Sequence, residues 1–216
     1  MLPLPKNRLI ISEDNSPNTE YLDFQSTDVV ALAKSLLGYR LCTRIGGQLT
    51  SGVIVETEAY RAPEDKASHA YGNRRTARTE VIFKAGGTSY IYLCYGIHHL
   101  FNIVSGPPET AHAILVRALE PDAGLTEMRL RRGEKISDKQ LTNGPGKLCQ
   151  ALGIDRTLNG LSVNKSSGNP LWVEPYVQVP TDEIIKSKRV GIDYAEEWKE
   201  KLWRFHIHGN PYVSVI

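Results

Sequence analysis

The chain has 216 residues, 41% of them apolar and 23% charged, which suits one globular domain able to bury a proper core. No apolar run approaches a membrane span, and the opening stretch MLPLPKNRLIISEDN lacks the apolar centre of a secretion signal. A net charge of +2 is too small to imply a polyanionic partner, and three scattered cysteines without CxxC spacing argue against a disulfide framework or a cysteine zinc site.

Residues 1–18 are expected to form a loosely attached arm, leaving 19–216 as the folded domain. STDVVALAKSLLG places Val29, Leu32, Ala33, Leu36 and Leu37 on one helix face, with Ser26 or Thr27 as cap and Gly38 as stop. YRLCTRI and QLTSGVIVETEAY, joined by two glycines, read as a strand, a tight turn and a longer strand. Residues 61–79 form a polar loop bearing arginines, and EVIFKAGG a short helical turn. TSYIYLCYG and HHLFNIVSG read as a second hairpin turning around Gly96, Ile97 and His98, with HAILVRALEP as a third strand beside it. A helix is expected near AGLTEMRLRRG and, after the charged loop EKISDKQLTNG, another over PGKLCQALG, which opens on proline and closes on glycine. Short strands around LWVEPYVQV and WRFHIHGN complete the chain. Antiparallel strands with interspersed helices, and no regular alternation of strand and helix, make this an α+β single domain.

Two glutamates one residue apart inside an apolar strand need an explanation, because carboxylates seldom enter a buried strand without a reason. Alternation puts Ile54, Glu56, Glu58 and Tyr60 on one face, the carboxylates roughly 6.7 Å apart, and the small apolar set Val53, Val55, Thr57 and Ala59 on the other. The glutamate face therefore meets either solvent or a cleft. Tyr60, an aromatic able to hold a flat substrate, favours the cleft. In TSYIYLCYG, Tyr90 and Tyr92 share one face, and Ile91, Leu93 and Tyr95 the other, with Tyr95 just before the turn. Strand tyrosines commonly fill cores, but a ring at a tip suits stacking on bases or wedging into a duplex. Arg74, Arg75 and Arg78, interleaved with Thr76 and Thr79, make either a solvated loop or a phosphate clamp. NGPGKL adds a helix N-terminus with Lys147 in its first turn, a weak sign of an anion site. The six histidines suggest no metal site: His98 and His99 diverge in a strand, and His206 and His208 lack a carboxylate or cysteine partner. Together these features point to an enzyme that takes a flat base from a nucleic acid. A non-catalytic nucleic-acid-binding module and an O-glycoside hydrolase using both carboxylates are the alternatives.

VETEAY, a histidine nine residues after its tyrosine, YIYLCYGIHHLFN, ILVRALEP, NGPGKLCQALGI and RVGIDYAEEWKEKLWRF follow one another in this order. They resemble the alkyladenine DNA glycosylase family of the mammalian type, also called methylpurine or 3-methyladenine DNA glycosylases, over roughly residues 20–216. The resemblance implies a compact mixed domain with a mainly antiparallel sheet, surrounding helices and a protruding hairpin. It puts the general base on Glu58, with Arg117 near it and the target phosphate. Tyr60, His69 and Tyr92 would sandwich the flipped base, and Asn102 would crowd the exocyclic amino group of guanine. Tyr95 would enter the gap in the duplex. Arg74, Thr76 and Arg78 match phosphate contacts, whereas Arg75 does not. Lys147, Ile97 and His98 are further DNA-contact candidates, although the family usually has methionine and tyrosine where Ile97 and His98 stand.

The activity implied is base-excision repair. An alkylated or deaminated purine is extruded, and water activated by Glu58 hydrolyses its N-glycosidic bond, leaving an abasic site without strand cleavage. The partner implied is double-stranded DNA containing damaged purines, met by a monomer, with no membrane, metal or organic cofactor. The expected location is cytoplasmic, nucleoid-associated if the source is prokaryotic. Glu56 is expected to be tied to an arginine or to backbone donors, supporting the site without reacting.

Overall fold

The strand that carries both glutamates, Gln48–Tyr60, is the longest among the described residues and organises the rest. A computed structural model describes residues 21–215; the arm expected over residues 1–18 lies outside the described residues. Helix α1 (Val29–Ser35) and strand β1 (Arg40–Ile45) precede this long strand, β2. Strands β3 (Ser89–Cys94), β4 (His98–Ser105) and β5 (His112–Ala123) follow, then helices α2 (Leu125–Arg132), α3 (Asp138–Leu141) and α4 (Pro145–Leu152). Short strands β6 (Leu171–Glu174), β7 (Ile184–Ser187) and β8 (Arg204–Ile207) end the chain. Every pairing between these strands is antiparallel, in the order β3-β4-β5-β2-β1-β6, with β8 joined to β2 and β7 outside it. The fold is α+β, as expected.

β2 is long enough to change partners. Its first half pairs with β1 and its second with β8, where Glu56 faces His206 and Glu58 faces Arg204, while β5 runs along the other edge. The β2–β5 register slips on both sides of Glu56; such bulges bend a strand and re-aim its side chains. On the opposite face α1 packs down, and Thr57 Oγ1 donates to the Ala33 carbonyl at 2.7 Å. Glu56 and Glu58, on the other face, are also buried completely. The solvent-facing strand face that alternation alone allowed is absent from this part of β2.

The core gathers α1, α4 and the inner faces of β2, β4 and β5, including Leu32, Leu36, Phe101, Ile103, Ile114, Leu119, Leu148 and Leu152. α4 has Pro145 at its first turn and closes on Gly153 in the left-handed region at φ +68°, where glycine carries no side-chain penalty. Two local expectations are corrected, and one unforeseen strand is added. The cap of α1 is Asp28, whose carboxylate accepts from the Ala31 N–H at 2.9 Å; Ser26 instead accepts from the Asp28 N–H and shapes the approach. The strand in LWVEPYVQV stops at Glu174, before Pro175, which has no N–H for a ladder. β7 carried no strong strand signal and forms as an edge on β8.

The hairpin of β3 and β4 also turns one residue earlier than expected. Tyr95 and Gly96 occupy the turn at φ +49° and +74°, and His98 already pairs with Cys94 as the first residue of β4. Positive φ at both central residues suits the right-handed twist of the flanking strands. Tyr95 therefore leaves the alternating face of β3 and projects from the tip, 92% exposed.

Candidate active site

Two buried carboxylates are tolerable here because each is surrounded by donors. Glu56 accepts from Arg117 Nε at 3.1 Å, Arg204 Nη1 at 2.9 Å and the Ser214 N–H at 2.7 Å. These are the arginine and backbone donors expected for it. Glu58 accepts from the Val190 N–H at 2.8 Å and the Tyr60 hydroxyl at 2.7 Å, with Arg117 Nη1 3.3 Å away. One guanidinium thus spans both acids. Burial works against the Arg117 charge, but Glu58 and Glu56 outweigh it and hold its pKa above the ordinary value.

A cavity of about 440 Å³ opens beside this cluster. Its lining includes Tyr60, His69, Tyr92, Asn102, Arg117, Arg78 and Tyr95, so most of the side chains singled out in the sequence converge on one space. Glu58 does not line it. Tyr60 and Arg117, both bonded to Glu58, stand between the carboxylate and the cavity. Burial first, and then the Glu58 charge, push the Tyr60 phenol well above its usual range, so it remains a donor. His69 meets Tyr92 edge-on, with centroids 4.6 Å apart, and its Nδ1 lies 2.9 Å from the Tyr90 hydroxyl. Burial, and to a lesser degree Arg78, bring the His69 pKa down to about 4; the ring is neutral at pH 7. The buried Asn102 amide donates to the Tyr90 carbonyl at 3.1 Å, which fixes its orientation.

The DNA-contact candidates separate into groups. Arg74 and Thr76 line a neighbouring polar depression of about 310 Å³, together with Arg78, Lys66 and Tyr194. Arg75 does not join them: Glu80 and Glu109 hold it, and it lies over the Phe83 ring. Ile97 is 71% exposed next to Tyr95. His98 packs on the first turn of α4, where a side chain at Gly146 would come within 3.0 Å of it. That contact brings Lys147 beside the hairpin, its amine bonded to Asn143 Oδ1 at 2.9 Å.

The segment Arg189–Tyr194 is the part that residue-level reading missed. Val190, Gly191, Ile192 and Tyr194 line the cavity. Arg189 is buried, donates to both oxygens of Asp65 at 2.5 and 2.9 Å, and lies 4.7 Å from the Tyr60 ring centre. Arg189 is not among the cavity-lining residues, so it backs the Tyr60 wall from outside. The signal was there in RVGIDYAEEW, where a buried arginine precedes Gly191 at φ +74°, but no single residue type in that block announces a site.

Comparison with known proteins adds two findings. The sequence profile of the methylpurine-DNA glycosylase family matches residues 23–211. A protein of Natranaerobius thermophilus is 46% identical over 194 residues, covering 89% of this chain and 97% of its own length. One of Bacillus cytotoxicus is 46% identical over 200 residues, covering 88% and 97%. Both are named, provisionally, as 3-methyladenine DNA glycosylases.

Proposed function

Because the chain belongs to the methylpurine-DNA glycosylase family, we propose that it removes alkylated or deaminated purines from double-stranded DNA, hydrolysing the N-glycosidic bond and leaving an abasic site. One observation carries this reading. Side chains suited to base, sugar and duplex, far apart in sequence, meet at one cavity whose wall is bonded to a buried carboxylate.

A stacked purine cannot reach such a cavity, so the nucleotide is flipped out at a cost of a few kcal/mol. The exposed Tyr95 fills the gap left behind. Tyr60, His69 and Tyr92, which all line the cavity, replace the lost stacking, worth about 1–3 kcal/mol per base. Asn102, oriented by the Tyr90 carbonyl, crowds the exocyclic amino group that marks guanine. Arg74, Thr76 and the Lys147 end of α4 meet backbone phosphates.

In the reaction the C1′–N bond breaks and its electron pair leaves with the base. Positive charge builds on the sugar, the water oxygen bonds to C1′, and the water proton passes to Glu58 by way of the intervening Tyr60 hydroxyl, which accepts it as its own proton moves to the carboxylate. Arg117 and the Val190 N–H hold the carboxylate in place. His69, being neutral, contributes a ring and a hydrogen bond and donates no proton to the leaving base. Lys66, the amine nearest to this motif in sequence, lines the adjacent depression and is paired with Glu196. Water is accordingly the nucleophile, and no lyase step follows.

A duplex carrying one hypoxanthine, incubated with the protein and then heated in alkali, tests the reading. Strand cleavage should require protein, lesion and alkali together. Cleavage before alkali would overturn the monofunctional assignment; tight binding with no base released would leave a nucleic-acid-binding module.

A further inference from the structure

We propose that Arg78 sets the charge preference of the base pocket, disfavouring purines that carry a positive charge relative to neutral ones; this rests on the glycosylase reading above. The resemblance assigns Arg78 to phosphate, yet its guanidinium carbon lies 4.8 Å from the Tyr92 ring centre and its Nη2 lies 3.0 Å from His69 Nε2. It lines both the cavity and the neighbouring depression, on the rim between them. The other arginines around the pocket are neutralised: Arg117 by Glu56 and Glu58, and Arg189 by Asp65. Arg75, three residues before Arg78, is likewise held by Glu80 and Glu109. Among the described residues no carboxylate forms an ion pair with Arg78. It is the uncompensated cation of the site.

A purine that stacks on Tyr92 and touches His69 comes within a few ångströms of that guanidinium. A neutral purine offers ring nitrogens and carbonyl oxygens that accept from its N–H groups. A cationic, N-alkylated purine meets a like charge. It also finds the electron-rich face of Tyr92 already facing a cation, which weakens the attraction that the ring would otherwise offer. Like charges about 6 Å apart, at an effective dielectric of about 40 for a partly exposed site, give roughly tenfold discrimination, or ~1.4 kcal/mol.

Arg78→Gln keeps a polar side chain of similar reach and removes the charge. Single-turnover excision is measured on duplexes carrying either N7-methylguanine, which is cationic, or hypoxanthine, which is neutral. The ratio of the two efficiencies is expected to move toward the methylated base by roughly tenfold in R78Q and by less than about twofold in R78K. R74Q, which changes the depression and not the cavity, is expected to lower both alike. A ratio unchanged in R78Q, or shifted as far by R74Q, overturns the proposal and leaves the glycosylase reading standing. Wild-type protein that excises neither lesion removes both. An independent readout is the His69 imidazole, followed by NMR. Its titration should move up toward the ordinary histidine range in R78Q; an unaltered titration places Arg78 elsewhere in solution and overturns the proposal.

Discussion

Glu58→Gln separates chemistry from architecture more cleanly than any other substitution. The side chain is fully buried, and its oxygens accept from the Val190 N–H at 2.8 Å and the Tyr60 hydroxyl at 2.7 Å. Glutamine has the same shape. Its carbonyl can keep the Val190 bond, and its amide can donate to the Tyr60 oxygen, which accepts as well as donates. What disappears is the charge opposite Arg117. That guanidinium still has Glu56 at 3.1 Å, so it is not stranded. The folding cost is expected at about 1–2 kcal/mol, not the ~3–5 kcal/mol of a buried pair broken outright. For a chain of this size that lowers Tm by roughly 2–8 °C.

Base release should suffer far more. Removing a positioned general base costs about 10²–10⁴ in rate. A carboxylate about 5 Å from a developing sugar cation contributes another ~3 kcal/mol at an effective dielectric of about 20. The two effects overlap, so a loss of about 10³–10⁵ is expected, ~4–7 kcal/mol on the barrier. The assay is single-turnover release of hypoxanthine with enzyme in excess, beside equilibrium binding to the same duplex. Binding should hold within about fivefold, ~1 kcal/mol. Excision within tenfold of wild type would refute Glu58 as the base. Parallel loss of binding and excision would show that the pocket, and not the proton transfer, had been damaged.

Glu56→Gln should show the reverse pattern. It strips a fully buried carboxylate from Arg204, Arg117 and the Ser214 N–H, so stability should fall by about 3 kcal/mol and Tm by roughly 6–12 °C. Single-turnover excision well below that midpoint should stay within about tenfold of wild type; an equal loss of chemistry would make the two glutamates a catalytic pair. Tyr95→Gly removes a side chain from a left-handed turn position at φ +49°, so the fold should gain about 1 kcal/mol while duplex binding and excision weaken. Calorimetry showing a less stable variant would mean that the tyrosine is packed and does not project. The pH dependence follows from His69, whose folded pKa of about 4 lies below the ordinary 6.5. The unfolded chain then binds more protons, so stability is intact above about pH 6.5 and is lost as pH falls toward 4. The loss is bounded near ~3 kcal/mol and comes to about half of that once partial exposure is discounted. Denaturant titrations of His69→Phe should fall less steeply over that window, and an identical slope would place the pH sensitivity in other groups.

Much of this was legible from local pattern. The apolar run of β2, its glycine turn into β1, and the Pro-to-Gly span of α4 each carry a signal within a few residues of the feature that they specify. Alternation also joined Glu56 and Glu58 to one side of β2, where a single guanidinium now reaches both. It could not show that this side is sealed. The groups that close it are Val190, Arg204 and Ser214, between 132 and 158 residues further along the chain from the glutamates that they bind. Two of the three act through a backbone N–H, a donor that every residue except proline possesses, so no side-chain pattern could mark them.

That sealing ties together two parts of the site that the sequence treated separately. Arg189 holds Asp65, and so the loop after β2, while backing the ring of Tyr60. The next residue, Val190, binds Glu58 through its N–H, and Tyr60 binds the same carboxylate from the cavity side. Two adjacent residues therefore fix the ring that would receive the base and the acid that would receive the proton. Moving either displaces the other, because their shared hydrogen bond has little room to lengthen before it weakens. A base pocket and a proton acceptor built as one rigid unit keep the reacting atoms in register, and small misplacements at such a site lose rate steeply. This accounts for ETEAY, with Glu58 and Tyr60 two residues apart on one side of β2: the spacing lets the wall of the pocket and the acid behind it hold each other in place.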